Sequence, residues 1–249
     1  MGVNEGLSGT DAHTPRMEEL TTRVRETLLA EGACCVGVAA LGDGNLSLFP
    51  DLSVAVVIAV ALDPQIVRSL DDGPSVAYKQ EYERVNEVLA GLVTRLVALI
   101  EGAGFRAEGI SPTSGDFDRE TLAAPFPHKT AATRAGLGWV GKCALLVTRE
   151  FGSAIRFATV FTDAPLTPGE PVTRSYCGSC TACLDACPVG APSGREWYPG
   201  IAREDFWDAY ACCREADRVA AEIGCAHPVC GRCIAACPWT RKYVRRVLG

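Results

Sequence analysis

The chain has 249 residues, 48% of them hydrophobic, enough for one large or two modest packed domains, which excludes disorder over most of its length. Thirty acidic and 24 basic residues leave a net charge of -6, which argues against broad non-specific binding to nucleic acid. Thirteen cysteines then require an explanation.

The opening stretch, residues 1–16, is polar and lacks an apolar segment, so it reads as a flexible leader and not a secretory signal. The protein is therefore expected in the cytoplasm, with no membrane partner. From Met17 to Gly32, Leu20, Val24, Leu28 and Leu29 recur at helical spacing before a glycine stop. CCVGVAAL and LSVAVVIAVAL follow as strands; the second is too short for a membrane span and too β-branched for a comfortable helix. Between about Val76 and Glu101, Tyr82, Val85, Leu89, Leu92, Leu96 and Leu99 mark one long amphipathic helix. FRAEGI is a further strand, and the Ser/Thr/Asp/Pro-rich stretch 111–127 is a long loop of the kind that often serves function. HKTAATRAGLG predicts a helix ended by glycine, while CALLVTRE and IRFATVFTD predict two sheet strands joined at Gly152. The first domain, 17–165, is then α/β or α+β. A Pro/Gly linker leads into a cysteine-rich second domain, 172–249.

Ten of the cysteines lie after residue 176. In a reducing compartment, such crowding points to metal or redox chemistry and not to disulfides. Cys34, Cys35 and Cys143 sit in apolar contexts and read as core residues. Cys177-x2-Cys180-x2-Cys183-x3-Cys187-Pro188 is the bacterial ferredoxin run, in which three thiolates hold one [4Fe-4S] cluster and the fourth crosses to another. Fifty residues on, Cys230, Cys233 and Cys237-Pro238 repeat it, with His227 where a cysteine would match Cys177. By the crossing rule Cys237 joins Cys177, Cys180 and Cys183, and Cys187 joins Cys230 and Cys233. A zinc site is the plainer alternative, but zinc gives no reason for a third cysteine at the next step or for two copies ending in Cys-Pro. His227, Cys225, Cys212 and Cys213 all compete to be the eighth ligand, and spacing does not choose among them.

HKTAATRAGLGWVGK (His128 to Lys142), VFTDAPL (Val160 to Leu166), CGSCTACLDACPVGA and CGRCIAACPW together resemble the epoxyqueuosine reductase family, with similarity running from Tyr78 to Tyr243. The resemblance implies an α+β protein, with a nitroreductase-like α/β domain followed by a small ferredoxin-like double-cluster domain. Cobalamin is expected between the two, fed by both clusters and used for reductive chemistry. It also implies an electron donor such as ferredoxin or flavodoxin, and a small-molecule or modified-nucleoside substrate. In the family the outlying ligand of the second cluster comes from a helix between the runs, which points to Cys212, with Cys213 in reserve. The family's proposed catalytic aspartate, counted back from AGLGW, falls on Leu122, and the helical-repeat extension of tRNA-reading members has no counterpart before Gly249, so tRNA is a weak expectation. Within that frame Gly136, Gly138 and Gly141 could admit a planar cofactor, the alternative being a plain helix stop. Trp139 could stack on it, and Arg134 and Lys142 could meet its amides or phosphate. His128 and Tyr82 are the expected proton donors, with Asn86 one turn from Tyr82. The competing reading is a two-cluster electron-transfer protein without cobalamin.

Overall fold

The structure, a computed structural model, describes residues 13–42, 48–112, 118–124 and 126–249. In chain order its elements are α1 (His13–Ala30), β1 (Cys35–Ala40), β2 (Val54–Ala61), α2 (Pro64–Ser69), α3 (Val76–Gly102), β3 (Ala107–Ile110), α4 (His128–Arg134), β4 (Trp139–Val140), β5 (Leu146–Val147) and β6 (Ile155–Thr162). Five helices follow: α5 (Ala182–Asp185), α6 (Arg203–Phe206), α7 (Ala209–Glu222), α8 (Arg232–Ala236) and α9 (Pro238–Leu248). The main sheet has the order β1-β2-β6-β3 with every pair antiparallel, so the fold mixes helices with an antiparallel sheet.

The unbroken apolar run of β2 reflects burial on both faces. Val56, Ile58 and Val60 pack with α1 and α3, whereas Ala55, Val57 and Ala59 pack with α4 and Phe161 on the other side. Helix α3 begins where the Ser75 hydroxyl accepts a bond from the Tyr78 N–H, and it buries Val85, Leu89, Leu96 and Ile100 completely. Each such side chain contributes about 1.5–3 kcal/mol. Asp63 caps α2 by accepting from the Gln65 N–H at 2.7 Å, with Pro64 in the first turn.

Three sequence expectations change. The first helix starts at His13, so the last residues of the expected leader are helical; residues 1–12 lie outside the described residues. CALLVTRE does not enter the main sheet. Its two-residue β5 pairs only with β4, because the chain turns tightly at Ala144 (φ +60) through the Gly141–Leu145 and Ala144–Gly141 backbone bonds. The turn at Gly152 is real and needs glycine: φ is +59, and an added Cβ would stand 2.2 Å from the Thr240 nitrogen. The expected boundary after residue 165 is also crossed by one continuous core, in which Ala220, Val229, Ile234, Tyr243 and Val244 bury with α1, α2 and α3. The Tyr243 hydroxyl donates to the Leu62 carbonyl at 2.9 Å. Among the described residues no helix is long and apolar enough to cross a membrane.

Candidate functional site: crossed cysteines beside a polar junction

The cysteine repeat persists in three dimensions. Short helices α5 and α8 start fifty residues apart, and each carries the second cysteine of a Cys-x2-Cys step, Cys183 and Cys233. Pro238 opens α9, where its missing N–H leaves no helix bond unmade. Cys187 leaves its own run and lies within electrostatic reach of Cys230 and Cys212. Cys237 lies against Cys177 in an apolar cluster with Trp139 and Val147. Cys143, read from sequence as core, is buried and lies within reach of both Cys183 and Cys233, so it stands between the two groups.

Helix α7 separates the competitors for the eighth place. Cys212 faces Cys187 and Cys230, while Cys213 turns its Sγ to the Asp217 carboxylate at 3.6 Å. Adjacent helical residues point about 100° apart, so only one of the pair can face the group. Cys225 packs against the main core, and the His227 ring lies 6.2 Å from the Tyr82 ring. Burial pushes the Cys212 thiol up to about 11, and the neighbouring Cys230 and Cys187 push the same way. Crowded, desolvated thiols of this kind become thiolates when a metal's positive charge is bound among them, so the donor set fits iron–sulfur ligation. Among the described residues no three His, Cys, Asp or Glu side chains close on one metal ion. Cluster thiolates bind separate irons and not a common ion.

The AGLGWVGK segment is closed by its own chain. A Cβ on Gly138 would stand 2.2 Å from the Val147 carbonyl oxygen, one on Gly136 (φ +76) 2.6 Å from the Glu170 oxygen, and one on Gly141 2.8 Å from Val147 Cγ2. These glycines admit neighbouring protein, which corrects the expectation that they admit a cofactor. Arg134 donates to the Ala40 carbonyl at 3.2 Å, and buried Lys142 donates to the carbonyls of Gly178 and Cys180 at 2.7 and 3.1 Å. Lys142 thus pins the first cysteine turn. Gly136, Gly138 and Trp139 do border a concavity of about 270 Å³, below the usual range for a small-molecule site and unfit to enclose a corrin. Trp139 is 1% exposed, edge-to-face with Tyr176 and Trp239 at 5.2 and 5.3 Å. Its buried Nε1 has no partner, and it packs with Cys177 and Cys237. An orphaned N–H donor beside thiolates is matched by the sulfur acceptors that a bound cluster would supply.

The second group of cysteines adjoins a polar junction on α3 and β6. The Arg156 guanidinium lies 3.8 Å over the Tyr82 ring, and its Nε donates to Asn86 Oδ1 at 2.6 Å. Tyr78, just below, feels the charges of Arg156, Cys233 and Cys230. His128 is near but engaged: Nδ1 meets the Thr159 hydroxyl at 2.7 Å, and the ring also hydrogen-bonds to the Ser111 backbone. Burial, with a smaller push from nearby Arg156, lowers its pKa to about 4 against an opposing bond to the Ser111 backbone. A buried, neutral histidine held by Thr159 orients its surroundings. Leu122 adopts φ +52, and its carbonyl accepts from Arg203 at 2.7 Å, so this stretch is strapped towards α6.

Arg156 and Lys129 were missed from sequence. The first is one polar residue in an alternating strand. The second donates to the Ala144 carbonyl at 2.6 Å, near Cys143 and Cys212, with its pKa lowered by burial. Neither position has a spacing signal.

No family model matches the chain. The curated epoxyqueuosine reductase of Leadbetterella byssophila is 49% identical over 69 residues, covering 28% of this chain and 22% of that protein. That of Pseudomonas aeruginosa is 34% identical over 141 residues, covering 54% and 38%. Over these segments the chain is similar to epoxyqueuosine reductases. The matches span well under half the length of these curated relatives. A crystal structure of epoxyqueuosine reductase with an epoxyqueuosine-modified tRNA-Tyr stem loop shares the fold at TM-score 0.61 and 22% identity, over 90% of this chain and 66% of that one. A catabolic reductive dehalogenase in complex with 3-bromo-4-hydroxybenzoic acid does so at 0.70 and 18%, over 96% and 35%. Another dehalogenase structure with the same TM-score is described as suggesting a mechanism for B12-dependent dehalogenation.

Proposed function

We propose that the chain is an iron–sulfur reductase with two [4Fe-4S] clusters, one on Cys177, Cys180, Cys183 and Cys237, the other on Cys187, Cys212, Cys230 and Cys233. The supporting observation is the exchange of cysteines between runs, Cys187 beside Cys230 and Cys212, and Cys237 beside Cys177. Residues 17–165 act as the nitroreductase-like substrate side, and residues 172–249 as the ferredoxin-like cluster side, within one shared core. The second cluster then adjoins Tyr82, Asn86, Arg156 and His227, where reduction would occur. Arg156 fixes the Tyr82 ring, and Tyr82 is the proton donor in this reading. The substrate is a small molecule or modified nucleoside, by analogy with the epoxyqueuosine of the relatives. Free thiolate ligation suits a reducing, cytoplasmic setting.

Cobalamin is the proposed acceptor of the electrons, on the fold likeness to a protein described with B12-dependent chemistry. When bound, it supplies a reducible cobalt. The closed AGLGWVGK segment does not fit the corrin wall expected for it, and no step here passes through the group. That misfit favours a second reading, electron transfer through two clusters without cobalamin.

Anaerobic purification with iron, sulfide, zinc and cobalt counts tests the proposal. About eight irons per chain and dithionite-bleached absorption are expected; zinc without iron would sink it. Hydroxocobalamin added to cluster-loaded protein separates the two readings. Retention of about one cobalt supports cobalamin chemistry, and none supports the simpler carrier.

A further inference from the structure

Resting on the cluster assignment above, we propose that the surface formed by Arg149, Tyr176, Arg174 and Lys242 is the electron-entry face, built to dock an acidic one-electron carrier protein over the first cluster. Tyr176 directly precedes Cys177 and is 37% exposed. Arg149, from the turn after β5, and Arg174, from the approach to the first cysteine run, each place a guanidinium 4.9 Å from its ring centre. On the other side of Trp139, Lys242 lies 5.8 Å from the ring of Trp239, the second residue after Cys237. Three rings in edge-to-face contact, Tyr176, Trp139 and Trp239, thus cover the Cys177 and Cys237 side of the cluster. Exposed cations cover the outer rings.

Charge favours an acidic partner on this face. The whole chain is acidic at -6, yet among the described residues Arg149, Arg174 and Lys242 form no ion pair with a carboxylate. Glu150 borders the same concavity, and Glu196 nearby accepts the Gly178 N–H at 2.7 Å. Arginines held against aromatic faces keep their charge outward in a fixed place, and aromatic residues with Arg are what interface centres favour. A local cationic face on an anionic protein steers an acidic partner into one orientation. Redox encounters need little more, since their interfaces are small. The second group of cysteines lies on another side, next to Tyr78 of α3. One electron leaves the reduced carrier, which is oxidised, and the first cluster gains it; no proton moves.

The test is stopped-flow bleaching of the clusters by a reduced, acidic [2Fe-2S] ferredoxin in the Arg149→Glu/Arg174→Glu protein, with Arg23→Glu on exposed α1 as control. At low salt the double variant should react at least about tenfold more slowly than parent and control, and the difference should close at high salt. Its iron and sulfide content and its bleaching by dithionite should match the parent, which separates failure of docking from failure to hold clusters. A slowing that persists at high salt would reflect an altered cluster potential and overturn the docking assignment. So would equal slowing in Arg23→Glu, or none in the double variant.

Discussion

Replacing Lys142 by Met tests whether the buried ammonium organises the first cysteine turn. The side chain is 6% exposed and donates to two backbone carbonyls, those of Gly178 and Cys180, at 2.7 and 3.1 Å. Methionine keeps most of the aliphatic volume but leaves both carbonyls without that donor. At 1.5–3 kcal/mol for each hydrogen bond to a charged group, less some relief by water near exposed Gly178, the change should cost roughly 3 kcal/mol. It also removes a cation from beside thiolates that carry net negative charge once a cluster is bound, so the first cluster should become harder to reduce. Anaerobic urea unfolding followed by circular dichroism reads the first effect, and a redox titration by electron paramagnetic resonance reads the second. Unchanged unfolding together with an unchanged potential for both clusters would refute the pinning role and return Lys142 to the class of incidental buried lysines.

His128 predicts a pH dependence. Its folded pKa of about 4 lies below the unfolded 6.5, so the unfolded state binds the extra proton. Its contribution is complete above pH 6.5 and is lost as pH falls towards 4. By pH 5.5 the parent should lose about 1.4 kcal/mol that His128→Gln does not lose, in anaerobic denaturant unfolding; parallel pH slopes would count against it. The eighth ligand predicts a split between neighbours: Cys213→Ser should keep about eight irons per chain and Cys212→Ser should lose iron, and the reverse pattern would move the ligand one residue along α7.

What was legible in the sequence was what local physics dictates. The apolar spacing placed α3 within a residue of its observed end, and the β-branched run placed β2. Helix α2 was missed because six residues carry too little periodicity, although Asp63 before Pro64 is a cap signal in retrospect. The cysteine spacing anticipated that Cys187 lies near Cys230 and Cys237 near Cys177, but not which residue of α7 joins Cys187, which depends on how that helix is rotated. The glycine motif misled for a related reason. Spacing says that side chains are absent, but only the fold shows that the Glu170 carbonyl and the Val147 strand fill the gap. Arg156 was hidden because its partners Tyr82 and Asn86 are some seventy residues earlier in the chain.

The same contacts that build the core also set the cysteines, which bears on how the centres assemble. In a small metal domain the ligands converge only when metal binds, because no core holds them beforehand. Here Gly152 packs on the Thr240 backbone, and the Ser153 N–H donates to the Thr240 hydroxyl at 3.0 Å, fixing the start of α9 just after Cys237. Gly231, between Cys230 and Cys233, lies against Leu70 and Tyr78, both buried in the main core. The first group of cysteines is thus anchored through the β5–β6 turn, and the second through α3 and the segment after α2. Anchoring by apolar burial remains when the thiols are protonated, so the backbone of both turns is held in place whether or not a metal is bound. On the proposed cluster assignment, insertion would then have chiefly to remove thiol protons, while the conformational entropy of bringing two distant runs together has already been offset by the hydrophobic core.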